Sequence, residues 1–403
     1  MSSTAFGVAT ALEAPTTQPA ARVRLDSVDL LRGLVMVLMA LDHVRDFFTE
    51  LRFDPTDLTR TNGLLFFTRW ITHYCAPTFV FLAGTGAFLA SARGKSRPDL
   101  ARFLVSRGLW LVLLEFTVIR LGWAFNLNYA GFQWVQVIWA LGVSMVVLAA
   151  LIYLPLPAIA AFGVGMIALH NLTDGIDPQT LGGWGPLWTV LHVQRPITLP
   201  WGAPLLVAYP LIPWIGVMAA GYAFGSILLQ PADARRRTLL WLGGALTAGF
   251  IVLRATNLYG DPRPWAPQSS VLFTVLSFLN TTKYPPSLLF LLMTLGPAIM
   301  SLVWFEHLRG PVARFLIVFG RVPLFYYVLH LFLIHAAALA VGVLAGFPPS
   351  AFARGVFDMP DGWGYGLPVV YAVWIAVVLA LYPVSRWYAD LKSRRREVWL
   401  SYL

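Results

Sequence analysis

His43 is an ionisable base set inside an apolar run, LDSVDLLRGLVMVLMALDHVRDFFTE (Leu25 to Glu50), which also carries Asp29 and Arg32 near one end and Asp42, Arg45 and Asp46 near the other. An imidazole with an ordinary pKa near 6.5 takes and returns a proton at neutral pH. On a helix Asp46 lies three residues on, close enough to orient the ring; Asp42 is adjacent but points about 100° away. A base beside a carboxylate suits general-base catalysis. Proton transport uses the same pair, so the pattern names a proton handler and not a reaction.

At about 100° per residue, Met36, Met39 and His43 fall within about 40° of the direction of Arg32, and the rise from Arg32 to His43 is roughly 16 Å. Ionisable groups inside a membrane helix are costly and usually functional. Either the charges snorkel from both helix ends, or a cation and a base face one cavity at two depths. In the second case Arg32 meets a phosphate or carbonyl, and an elongated acyl-thioester such as acyl-CoA spans the interval.

Further polar groups recur at apolar segment ends. TRWITHYCAPTFVFLAG places Arg69 and His73 four residues apart on one helical face, whereas His73 and the single cysteine, Cys75, diverge and make a poor nucleophile pair. NTTKYPPS puts Lys283 at a helix mouth, and LFYYVLHLFLIHAA puts Tyr326 and His330 on one face. Arg69, His73, Lys283, Tyr326 and His330 are therefore candidate acceptor-binding residues, with Tyr326, His330 or Asn128 as candidate oxyanion donors. HExxH, paired CxxC, Gly-rich phosphate-loop and GxSxG motifs do not occur, which leaves zinc-hydrolase, nucleotide-enzyme and serine-hydrolase readings without support. No metal is expected.

The elements that must position these groups are membrane helices. The 403 residues are 58% hydrophobic and only 12% charged, with a mean hydropathy of +0.69. These values lie far outside soluble averages. The composition predicts an all-α polytopic membrane protein with ten spans, at 28–48, 64–91, 101–122, 132–153, 155–171, 205–229, 237–254, 286–306, 321–345 and 367–388. Segments 271–279 and 311–319 are read as short interfacial helices, or one of them as an eleventh span. A disordered cytoplasmic tail (1–21), one membrane domain (22–390) and a basic cytoplasmic tail (391–403) complete the expected organisation. The net charge of +10 sits in short clusters beside apolar segments, which sets orientation and argues against nucleic-acid binding. Arg93, Lys95, Arg97 and Arg102, then Arg235 to Arg237, Arg309 and Arg314, and the Lys392 to Arg396 run alternate with poorly basic loops. Both termini, and Arg32, then face the cytoplasm, and His43 faces the outer side.

Four blocks in order, SVDLLRGLVMVLMALDHVRDFF, TRWITHYCAPTFVFLAGT, TKYPPSLLFLLMTLG and GRVPLFYYVLHLFLIH, resemble the membrane acyltransferases related to the heparan-α-glucosaminide N-acetyltransferase catalytic domain. The Arg-x10-His spacing from Arg32 to His43 is also similar to a motif of the acyltransferase-3 families. The resemblance implies transfer of an acyl group, typically acetyl, from cytoplasmic acyl-CoA to a hydroxyl or amine of a sugar or glycan at the outer face. By motif it implies roles in transfer for Arg32 and His43 alone; Asp46 or Asp42 as the carboxylate that assists the base, and Met36 and Met39 beside Arg32 as a cofactor wall, rest on helical spacing. The chain departs from the lysosomal branch in having no histidine between Leu51 and Gly63. A bacterial inner membrane, with a cell-envelope glycan as acceptor, is the expected setting, and a homodimer is an open option. The alternative is a proton-coupled transporter of a sugar or lipid-linked glycan.

Overall fold

The computed structural model describes residues 26–395 together with 397, 400 and 402; the tail expected over 1–21 lies outside the described residues, as does part of that over 391–403. About 72% of the protein is helical. In chain order the helices are α1 (Asp26–Phe48), α2 (Gly63–Trp70), α3 (Cys75–Ala92), α4 (Arg97–Leu114), α5 (Arg120–Ala124), α6 (Val137–Leu151), α7 (Leu156–Leu169), α8 (Gly185–His192), α9 (Leu211–Phe224), α10 (Ala232–Thr256), α11 (Val271–Leu279), α12 (Leu288–Phe305), α13 (Pro311–Arg321), α14 (Pro323–Leu344) and α15 (Leu367–Arg394). A 3-10 turn, Ile71–Tyr74, joins α2 to α3, and a π-helical stretch, Glu115–Ile119, joins α4 to α5.

Among the described residues seven helical stretches are long and apolar enough to cross a membrane, with the 15-residue α6 as a shorter apolar helix. Ten spans were expected. Helix α1 occupies its expected place, but Asp29, Arg32, Asp42, Arg45 and Asp46 give it more charge than an ordinary span. The segments at 271–279 and 311–321 are the short helices α11 and α13.

Two expected helix starts are strands instead. β1 (Gln133–Val135), β2 (Pro196–Thr198) and β3 (Pro204–Val207) form a sheet ordered β1-β3-β2, with β1 parallel and β2 antiparallel to β3. Short apolar runs such as QWV and LLV carry no period that separates strand from helix. The fold decides through Glu115: its buried carboxylate accepts from the Gln136 and Trp139 amides at 3.0 Å each. It thereby satisfies amides at the start of α6 that have no intrahelical partner, and the helix begins at Val137.

Membrane helices gain little from hydrophobic association and pack by close backbone approach at small residues. A Cβ at Gly33 of α1 would lie 1.9 Å from the Leu316 carbonyl oxygen, and one at Gly320 of α13 would lie 1.9 Å from that of Asp29. Only glycine lets these two helices touch. The same holds for α3 against α9, where a Cβ at Gly84 would meet Met218 O at 2.0 Å. Helix α1 is thus buried along most of its length, packed against α12, α13, α14 and α15.

Candidate functional site

Close packing of α1 against α14 brings His43 to His330. Nδ1 of His43 lies 2.7 Å from Nε2 of His330, and Nδ1 of His330 lies 2.9 Å from the Tyr326 carbonyl oxygen. A carbonyl only accepts, so His330 donates through Nδ1 and, as a neutral ring, accepts through Nε2. His43 then donates through Nδ1 and keeps an unprotonated Nε2. Trp123 packs edge-on to the His43 ring at 4.8 Å and Tyr327 at 5.9 Å, which fixes its plane.

The expected carboxylate partner is elsewhere. Asp46 accepts from Arg45 at 2.6 Å, and Asp42 accepts from Arg69 at 2.5 and 2.6 Å and pairs with Arg45 at 3.0 Å. Helical spacing allowed Asp46 to reach His43, but an adjacent guanidinium takes it. The imidazole is oriented by a second histidine.

A cavity of about 550 Å³ is lined by His43, Asp42, Arg45, Asp46, Arg69 and Lys283 together with Gln136, Gln194, Tyr209, Tyr284 and further aromatic rings. The sheet supplies part of that wall through Trp134 and Leu206. The Lys283 loop is held from below: Asp261 accepts from the Thr282 amide and hydroxyl and from the Ser287 hydroxyl, while Arg254 donates to the carbonyls of Arg263, Ser277, Phe278 and Asn280.

A second cavity, of about 290 Å³, runs along the same helix from the other end. Arg32, Met36 and Met39 line it, with Arg107, Arg321 and Lys392 among its cationic residues and apolar side chains such as Leu82 and Leu104 between. Arg32 donates to Asp29 at 3.3 Å and to the Gly320 carbonyl at 3.2 Å. Met39, Phe79 and Val137 belong to both cavities, so the two share a wall one helical turn from His43. Tyr327 lines the second cavity with its hydroxyl buried and without a partner of good geometry.

Four candidates line neither of these two cavities: His330, which meets the His43 ring, and His73, Tyr326 and Asn128. His73 is buried against Phe290, because the 3-10 turn adds about 20° per residue to the helical rotation and carries it off the face of Arg69. Tyr326 is fully buried, stacked on His330 and packed on Phe319, and the neighbouring Tyr327 takes the cavity position. Asn128 lines a small adjoining cavity, and its side-chain oxygen accepts from the Ala130 and Gly131 amides. Cys75 lines the His43 cavity and donates to Val35 O at 3.3 Å.

Sequence reading missed Trp123, Tyr327, Arg107, Tyr209 and Tyr284. Arg107 carried a usable signal, a cation within the apolar run of α4. The aromatic residues carried none, since only the fold separates a cavity tyrosine from a packed one.

No curated protein matches the chain with significance. The family model described as heparan-alpha-glucosaminide N-acetyltransferase, catalytic, matches residues 24–258, more than half of the chain and the part that holds α1, Arg69, Trp123 and Glu115. The protein belongs to the heparan-alpha-glucosaminide N-acetyltransferase catalytic-domain family, a family of transmembrane acetyltransferase type.

Proposed function

We propose that the protein transfers an acyl group, acetyl in the simplest case, from acyl-CoA in the Arg32 cavity to a sugar hydroxyl or amine in the His43 cavity. The observation that carries this reading is the shared wall at Met39, Phe79 and Val137, which brings two chemically different cavities together beside an oriented imidazole. Arg32, Arg107, Arg321 and Lys392 suit the phosphates of the donor. The Met-lined channel suits its pantetheine arm, and the roughly 16 Å rise from Arg32 to His43 lets the thioester arrive near the base.

In this scheme Nε2 of His43 takes the proton of the acceptor as its oxygen or nitrogen attacks the thioester carbon. The tetrahedral oxyanion accepts from the Tyr327 hydroxyl, a donor fixed in a site of low dielectric. The C–S bond then breaks, and the departing thiolate takes the proton back from His43. His330 holds the ring and, through the Tyr326 carbonyl, its tautomer. Asp42 and Asp46 serve the cavity wall through Arg69 and Arg45, and are positioning residues. The distribution of basic loops supports an Arg32 end that faces the cytoplasm, with the acceptor on the other side of a bacterial inner membrane in this scheme.

The test is thiol release from acetyl-CoA by purified protein, in nanodiscs, with a panel of envelope sugars. Acceptor-dependent release that His43→Ala abolishes supports acyl transfer. Liposome uptake of a sugar that depends on His43, with no acetyl-CoA consumed or bound, overturns it in favour of a transporter.

A further inference from the structure

The His43 cavity holds more cation than its carboxylates can match. Its buried wall carries Arg45, Arg69 and Lys283 against Asp42 and Asp46, while Arg52 and Asp54 stand exposed at the mouth. Asp42 is occupied by Arg69 and Arg45, and Asp46 by Arg45. Two donors are left over. Lys283, only 9% exposed, enters none of the ion pairs or hydrogen bonds found among the described residues, and its ammonium rests 5.2 Å from the Tyr284 ring centre. Nη1 of Arg45, a residue 5% exposed, is buried without a hydrogen-bond partner. Both cations line the same cavity as Asp42 and His43, so they belong to one neighbourhood around the base.

A guanidinium N–H buried without a partner is costly, and Lys283 adds to the same cavity a cation with no carboxylate of its own. The Lys283 loop is nevertheless fixed in place by Asp261 and Arg254, which are both about 1% exposed in their side chains. A rigid support under an unmatched cation is the construction of a preorganised anion site.

Resting on the acyl-transfer reading, we propose that the acceptor is an acidic sugar whose anionic group is held by Lys283 Nζ and Arg45 Nη1 while its hydroxyl faces His43. A carboxylate, sulfate or phosphate fills the two unused donors and balances the buried charge. An amino sugar arrives as an ammonium and meets a field of its own sign. The site therefore favours O-acylation of an anionic sugar over N-acylation of a cationic one. The aromatic rings of Tyr209, Tyr284 and Trp134 face the remaining apolar surface of such a ring.

The test compares three matched acceptors, a methyl glucuronide, a methyl glucoside and a methyl glucosaminide, with acetyl-CoA as donor. Wild-type protein is expected to show kcat/KM about tenfold or more higher on the glucuronide, the scale of one charge-assisted hydrogen bond. Lys283→Met is expected to lower kcat/KM on the glucuronide about tenfold more than on the glucoside and so to remove the preference, and Lys283→Arg keeps it, which separates charge from folding. A wild-type preference for the glucoside or glucosaminide, or a preference untouched by Lys283→Met, overturns the proposal. Binding by thermal shift is read in parallel and needs no turnover. Lys283-dependent binding of glucuronide with no acetyl transfer to any sugar upholds the anion site and sinks the acyl-transfer reading, whereas transfer to neutral sugars without glucuronide binding does the reverse.

Discussion

The two cavities on α1 are built from opposite materials. The His43 cavity is walled by charged side chains, amides and phenols carried on α1, the α2 segment, the sheet and the Lys283 loop. The Arg32 cavity is mainly aliphatic, with cations from α1, α4, α13 and α15. One suits a compact polar ligand and the other a long chain with a charged end. The difference teaches that one helix faces two cavities of unlike chemistry. The two share a wall at Met39, Phe79 and Val137.

The comparison breaks most severely at His43. His43→Ala is expected to lower acyl transfer by about 10²- to 10⁴-fold, the contribution of a positioned base, while acetyl-CoA binding, followed by calorimetry, stays within about twofold of wild type. Loss of both together would place His43 in the donor compartment.

Tyr327→Phe comes next, at about 10²-fold in kcat with KM for acetyl-CoA unchanged, because it removes a donor used only as charge develops. His330→Ala is expected to cost a comparable or smaller factor, about 10²-fold, by releasing the imidazole from its orientation; steady-state kinetics against Tyr327→Phe ranks the two.

Arg32→Ala should act on the other compartment. KM for acetyl-CoA rises about tenfold, from loss of a charge-assisted bond, with kcat nearly intact and the acceptor KM unmoved. Asp46→Asn is expected to change kcat by less than about threefold, since its carboxylate meets Arg45 and not the base. A loss as large as that of His43→Ala would restore Asp46 as the orienting group.

Much of this was legible in α1 alone. A helix of fixed pitch puts Arg32, Met36 and Met39 on one face, and the structure lines one cavity with all three. Excess charge in an apolar run marked the helix before any contact was known. What stayed hidden depends on other elements. The partner of His43 comes from α14, 287 residues away, and helical spacing favoured Asp46 because it cannot see Arg45 taking that carboxylate. The 3-10 turn that removes His73 and the π-helical stretch that brings Glu115 to the start of α6 are local departures from helical period, set by packing. The strands β1 and β3 were read as helix because runs of three or four residues have no period of their own. Tyr326 and Tyr327 are adjacent phenols in sequence, and only the rotation of α14 decides which one lines a cavity.

The most direct measurement uses proteoliposomes with acetyl-CoA enclosed on one side of the bilayer and an impermeant acidic sugar on the other, in protein of known orientation. Acetylated sugar should appear on the acceptor side while CoA stays on the donor side, and His43→Ala should abolish it. Product that forms only when donor and acceptor share one compartment would contradict two cavities meeting across α1.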